Sequence, residues 1–149
     1  IYTLSLHDAL PILALEHTYA YNKIYKRQLF QKFQFPQGRI FEDLWFYSQL
    51  LSTEPKVATL SCGLYLYLLN ENGLTVNADA EALQQLLEAQ MRAARLMKTR
   101  LLSLHGWRLY RSMLFRQIDI YRLSGKFILS SPLVKLICIL HKRFRRANR

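Results

Sequence analysis

Two adjacent carboxylates, Glu42 and Asp43, are the residues of this sequence best suited to acid–base chemistry. They open the segment Glu42 to Leu51, whose apolar residues recur at helical spacing, so we expect them in the first turn of a helix. The positive end of the helix dipole favours a charged carboxylate there, and a fixed carboxylate can accept a proton as a general base. Taken alone, the pair fits an ordinary acidic first turn better.

Four short blocks place this pair in a wider pattern between Tyr19 and Val76. They read Tyr21-Asn22-Lys23-Ile24-Tyr25-Lys26-Arg27, Phe35-Pro36-Gln37-Gly38-Arg39-Ile40-Phe41-Glu42-Asp43, Leu64-Tyr65-Leu66-Tyr67 and Gly73-Leu74-Thr75. In order and spacing the blocks resemble the family 2 glycosyltransferases of the GT-A fold. Those enzymes carry a W-N-K-L-Y-R-R helix, an F-P-E-G-x-x-x-E-D segment, a Y-x-Y strand and a G-S-x-T turn. Tyr21 and Gln37 depart from the family's tryptophan and glutamate.

The resemblance implies a reaction and a set of site residues. The reaction is inverting transfer of a sugar from a nucleotide-sugar to a polysaccharide or lipid-linked acceptor. The resemblance assigns Asp43 as the base that takes the acceptor's hydroxyl proton, with Glu42 orienting the acceptor or bracing the loop. It also implies substrate binding by Asn22, Lys23, Tyr21 and Arg39. Lys23 and Arg39 fit solvated surface positions equally well.

The resemblance also indicates what this chain lacks. Family members carry a nucleotide-binding half and a D-x-D motif upstream, with Mg or Mn bridging the donor diphosphate. No two aspartates of this sequence form D-x-D, so we expect a metal in the intact parent enzyme and none in this chain. Residues 1–12 resemble translated sequencing-adapter read-through. We therefore interpret the chain as a fragment that is inactive alone.

The expected fold class is α/β, with the C-terminal part of a GT-A domain over 13–79 and a mostly helical basic extension over 80–149. Strands are predicted at Val57–Leu60 and Leu64–Leu69. Asn77 or Asp79 is predicted to cap a helix that ends before Gly106, and Ser124-Gly125 is predicted to end the next one. The remaining predicted helices are Asn22–Lys32, Ala80–Leu104, Trp107–Leu123 and Leu133–Leu140, the last of which is opened by Pro132.

The charge of the chain is strongly asymmetric. The net formal charge is +11, but residues 1–79 hold six Lys/Arg and seven Asp/Glu, whereas residues 80–149 hold fifteen and three. This balance favours a polyanionic partner for the second half, either an anionic membrane surface or nucleic acid. A solvated basic helical face is the plainer explanation of the same charges.

The last predicted helix leaves two interpretations open. Phe127 to Leu140 is mostly apolar, too short and interrupted to span a bilayer, and is followed by a basic tail. That composition fits an interfacial helix on the inner face of the plasma membrane, and it also fits a helix packed on the catalytic domain. A nucleic-acid-binding module is less favoured because no such motif appears, and a purely structural helical domain is the third alternative. Cys62 and Cys138 are predicted to be reduced, buried thiols of an intracellular protein.

Overall fold

The computed structural model describes residues 2–4, 20–21, 23–53, 57–59, 78–96 and 104–147. Five helices and two short strands lie in these ranges. In chain order they are β1 (Tyr2–Leu4), α1 (Leu29–Lys32), α2 (Glu42–Leu51), β2 (Val57–Thr59), α3 (Ala80–Leu96), α4 (Leu104–Ser124) and α5 (Pro132–Ala147). The predicted strand at Leu64–Leu69, Asn22 and Cys62 lie outside the described residues.

The α/β fold class expected from the resemblance is wrong for the part of the chain that the structure describes. The sheet found there is an antiparallel ribbon of β1 and β2, in which Tyr2 lies opposite Thr59 and Leu4 lies opposite Val57. An α/β domain is built on a larger sheet with helices packed against it. Here the helices pack on one another, because α3 and α4 carry amphipathic runs rich in good helix formers.

The helix pair α3–α4 forms the largest buried cluster among the described residues. Leu83 and Leu87, one turn apart on α3, pack with Leu109, Met113 and Ile120 of α4. Fully burying an apolar side chain of this size contributes about 1.5–3 kcal/mol. This pair is therefore the main hydrophobic support against which α2 and α5 are placed.

Polar groups at the helix ends agree with most of the predicted boundaries. The Oδ1 atom of Asp79 accepts the N–H of Ala82 at 2.8 Å, which confirms the predicted cap of α3. Gly125 takes a φ of 73° and its N–H donates to the carbonyl of Tyr121 at 2.9 Å, which ends α4 where predicted. Gly106 does not break a helix but is buried inside α4, so that prediction is wrong. Burial of a long amphipathic helix outweighs the roughly 1 kcal/mol that an interior glycine costs relative to alanine.

Two other boundaries differ from the predictions. The helix expected over 22–32 forms only as α1, since residues 23–26 are not helical. α5 begins at Pro132 as predicted, where a missing N–H costs nothing, but it continues beyond Leu140 to Ala147. The basic stretch 141–146 is therefore helical rather than a tail. No helix in the described ranges is both long enough and apolar enough to cross a bilayer.

A buried glutamine fixes the connection between α4 and α5. The Oε1 atom of Gln117 accepts the N–H groups of Ile128 and Leu129, both at 2.8 Å, and its Nε2 donates to the carbonyl of Lys126 at 3.0 Å. Gln117 is fully buried. Its three hydrogen bonds provide partners for backbone groups that would otherwise have none where the chain turns from α4 towards α5.

Candidate functional site

Asp43 lies at the N-terminus of α2, as predicted, and the helix runs from Glu42 to Leu51 as predicted. The residue before the helix, Phe41, adopts the left-handed conformation (φ 61°, ψ 35°), which is uncommon for a residue with a side chain. The N–H of Leu44 donates to the Oδ1 atom of Asp43 at 2.8 Å. The carboxylate is therefore attached to a fixed helix end rather than to a loose loop.

The pKa of Asp43 lies above its ordinary value. Partial burial is the main cause, because removing water disfavours the charged carboxylate. The neighbouring charge of Glu42 pushes the pKa in the same direction, while the hydrogen bond from Leu44 and the charge of Lys23 oppose it. A carboxylate whose pKa is raised holds a proton more strongly and is a better base in its charged form.

Lys23 is the cation that the structure brings near Asp43. The two groups interact electrostatically, and burial lowers the pKa of Lys23 although the charge of Asp43 works against that shift. The Nζ atom lies 5.1 Å from the centroid of the Tyr47 ring, a cation–π distance. Lys23 is thus partly withdrawn from solvent and lies against the same helix that carries Asp43.

A pair of tyrosines completes this cluster, and the sequence interpretation did not include them. The hydroxyls of Tyr25 and Tyr47 are hydrogen-bonded to each other, and the Tyr25 hydroxyl also donates to the carbonyl of Ala20 at 3.2 Å. Burial is the main cause that raises the pKa of both tyrosines, and the charge of Asp43 adds to it. One signal was available: Tyr47 follows Asp43 by four residues, which places both on one face of a helix.

Stacked aromatic rings hold these side chains in place. Phe46 is fully buried, and its ring lies 4.4 Å from that of Phe35 and 5.6 Å from that of Phe30, in both cases nearly parallel. Tyr25 packs edge-on against Phe46 at 5.8 Å. The segment 25–35 is therefore anchored to α2, and this anchoring keeps Lys23 beside the helix N-terminus.

Arg39, predicted to bind substrate, makes its contacts with α3 and with Trp45. Its guanidinium lies 3.1 Å from a carboxylate oxygen of Glu88 and 4.6 Å from the centroid of the Trp45 ring. The backbone N–H of the next residue, Ile40, donates to the side chain of Gln85 at 2.9 Å. These bonds attach the loop before α2 to α3.

The positions of the other predicted site residues add little to the description of the site. Glu42 is exposed and adjoins Asp43, while Tyr21 is half-buried. Asn22 lies outside the described residues. The structure thus brings together Asp43, Glu42 and Lys23, and adds Tyr25 and Tyr47.

Two further features lie apart from this cluster. No group of three or more His, Cys, Asp or Glu side chains that would hold a metal occurs in the ranges the structure describes. An open groove of about 510 Å³ lies between the start of α3 and the end of α4 and contains none of the predicted site residues. Its lining is Asp79, Ala80, Glu81, Gln84, Ser124 and Lys126.

Comparison with known proteins gives no match to a family model, to a curated protein or to a solved structure.

Proposed function

We propose that this chain supplies the acceptor side of a family 2 glycosyltransferase, with Asp43 as the general base. The observation that supports this most is the placement of a half-buried carboxylate with a raised pKa at the N-terminus of α2, beside Lys23. The proposal rests on this cluster and on the order of the motif blocks around it. It requires no sheet in the described residues.

The proposed reaction moves one proton and one glycosyl group. The carboxylate of Asp43 removes the proton from the acceptor hydroxyl while the hydroxyl oxygen forms a bond to the anomeric carbon of the donor sugar. The bond between that carbon and the diphosphate breaks, and the nucleoside diphosphate leaves with the electron pair. Attack from the face opposite the leaving group inverts the anomeric configuration, and Asp43 afterwards releases its proton to solvent.

Lys23 and the tyrosine pair act on this step in different ways. We assign Lys23 to the donor phosphates or to the acceptor, since it is a compact positive charge next to the base. Its charge also limits how far the pKa of Asp43 rises. Tyr25 and Tyr47 are positioning residues, because their linked hydroxyls and ring contacts fix the surface on which Lys23 lies.

The described residues do not fit the divalent cation that the resemblance implies. They offer the neighbouring carboxylates of Glu42 and Asp43 but no third acid, histidine or cysteine beside them, and a metal held by protein carboxylates alone needs more ligands. Binding of Mg or Mn, and of the donor's nucleotide, therefore belongs in our proposal to the donor-binding half of the enzyme. No step assigned to this chain passes through a metal.

The partners in this proposal are a nucleotide-sugar and a glycan or lipid-linked acceptor, as used in building envelope polysaccharides. Nucleotide-sugars are made in the cytoplasm, so we place the activity there, on the inner face of the plasma membrane. The basic second half of the chain is compatible with such a surface.

The product of the full-length enzyme tests this function. The enzyme is incubated with nucleotide-sugars and glycan acceptors, and the anomeric configuration of the new linkage is read by NMR. We expect a linkage opposite in configuration to that of the donor, with kcat/KM falling at acid pH as Asp43 becomes protonated. The proposal would be contradicted if the anomeric configuration were retained, or if sugar were transferred to none of the glycan acceptors.

A further inference from the structure

One face of α5 exposes large apolar side chains in a continuous row. Leu133 is 66% exposed, Leu136 52%, Leu140 42% and Phe144 71%. These residues recur at intervals of three and four, so they lie on one side of the helix. Below we call them the α5 stripe. Single exposed apolar residues are normal on a protein surface, but an aligned row of four indicates an interaction site.

The opposite side of α5 is already used for packing on α4. Cys138 is fully buried, and its burial raises the pKa of the thiol. Lys135 and Lys142, two turns apart, lie over the rings of Phe127 and Tyr121 at 5.8 Å and 5.0 Å. The orientation of α5 is therefore set by these contacts, and they leave the α5 stripe outward.

The segment that contains α5 is basic along its sequence, although Asp119 of α4 lies 3.2 Å from Arg122. Residues 120–149 contain no Asp or Glu and eight Lys or Arg. These are Arg122, Lys126, Lys135, Lys142, Arg143, Arg145, Arg146 and Arg149. A second copy of this chain at the α5 stripe would bring a second net positive segment close to the first, which is unfavourable. The partner must therefore combine an apolar interior with an anionic surface.

We propose that α5 lies in the interface of an anionic lipid bilayer, with the α5 stripe inserted among the acyl chains and the flanking cations at the headgroups. An anionic membrane can contact the apolar stripe with its acyl chains and the cations with its headgroups at the same time. Nucleic acid would bind the cations but leave the apolar row in water. The proposal is independent of glycosyl transfer, because it uses none of the residues near Asp43.

Co-sedimentation of the 149-residue chain with vesicles tests this proposal. We compare vesicles of phosphatidylcholine alone with vesicles that also contain phosphatidylserine. We expect binding to the anionic vesicles, weakened about tenfold or more by the double substitution Leu136→Gln and Leu140→Gln, which removes two inserted side chains. Raising the salt from about 0.1 M to about 1 M should also weaken binding, because it shortens the screening length from about 10 Å to about 3 Å.

The matched control is Ile24→Gln. Ile24 is 92% exposed and lies outside α5, so this variant should bind anionic vesicles like the unchanged chain. A second readout keeps a large aromatic side chain in the α5 stripe. The tryptophan fluorescence of the variant Phe144→Trp should gain a blue-shifted component when anionic vesicles are added, compared with the unchanged chain.

Four results would overturn the proposal. One is the absence of binding to anionic vesicles. Another is equal binding by the α5 double variant and the unchanged chain. The third is tighter binding to duplex nucleic acid than to anionic vesicles. The fourth is a dimer in sedimentation velocity that the α5 double variant dissociates while vesicle binding is absent.

Discussion

Asp43 is subject to opposing influences that together make it a candidate base. The N–H of Leu44 and the charge of Lys23 favour its charged form, whereas burial and Glu42 disfavour it, and burial is the largest of these. An ordinary first-turn carboxylate on an exposed helix is not withdrawn from water in this way. Perturbed carboxylates of this kind are common at functional sites.

The raised pKa predicts that Asp43→Asn stabilises the fold at neutral pH. Because the pKa is higher in the folded chain than in the unfolded chain, Asp43 favours folding when protonated, and this contribution is lost as the pH rises through the folded value. At pH 7 the charged carboxylate therefore lowers the free energy of unfolding. Asparagine removes the charge and keeps an oxygen that can accept the N–H of Leu44. We expect a gain below about 1 kcal/mol, since the site is half-exposed and screened by solvent.

Urea unfolding at neutral pH, and again below the ordinary aspartate pKa of 3.8, measures this effect. The gain should shrink in acid, where both side chains are neutral. Glu81→Gln, an exposed first-turn acid of α3, controls for the loss of one negative charge. A variant Asp43→Asn that is less stable than the unchanged chain at neutral pH would show that burial does not dominate at this site.

The element most dependent on a single side chain is the connection between α4 and α5. Replacing Gln117 by leucine keeps the volume roughly constant but leaves the N–H groups of Ile128 and Leu129 without their acceptor. Each buried polar group that loses its partner costs about 1–3 kcal/mol. We therefore predict that Gln117→Leu lowers the free energy of unfolding by about 2 kcal/mol or more.

Chemical denaturation compares this variant with Gln84→Leu, in which a half-buried glutamine of α3 loses only its bond to Glu88, one helical turn away. The Gln84→Leu change should stay within about 0.5 kcal/mol. Equal effects of the two substitutions would mean that the buried amide of Gln117 does not hold α5 against α4.

Some elements were predictable from the sequence and others were not, for identifiable reasons. α2 begins and ends where its acidic first turn and apolar spacing predict, and Asp79 caps α3 as expected, because both signals are local. The segment 23–26 has helical spacing but is not helical. There Tyr25 bonds to Tyr47, twenty-two residues away, and a local pattern contains no information about such a partner.

The candidate site was predictable in part for the same reason. Asp43, Glu42 and Lys23 were selected by the resemblance, whereas the linkage of Tyr25 to Tyr47 and the attachment of Arg39 to Glu88 arise from tertiary packing. The fold class was predicted wrongly because it was inferred from the resemblance. Within the described residues, helix packing dominates and β1–β2 is a minor ribbon.

At the scale of the whole molecule, the two proposals use different parts of the chain. The first half of the chain, where acidic and basic residues nearly balance in number, holds the cluster of Asp43, Glu42, Lys23, Tyr25 and Tyr47. The α5 stripe lies in the basic second half. This separation fits an enzyme that works on an acceptor close to a membrane surface. It also allows the two proposals to be tested independently, because variants of one part should leave the other function unchanged.

The central claim is that the carboxylate of Asp43 takes the acceptor proton, and turnover of the full-length enzyme carrying Asp43→Asn tests it most directly. Release of nucleoside diphosphate in the presence of acceptor is compared among the unchanged enzyme, Asp43→Asn and the control Glu81→Gln. Loss of a general base typically costs about a hundredfold to ten-thousandfold in rate, so we predict a loss of this size for Asp43→Asn and near-normal turnover for Glu81→Gln. If Asp43→Asn instead turns over at the rate of the unchanged enzyme, Asp43 is not the base.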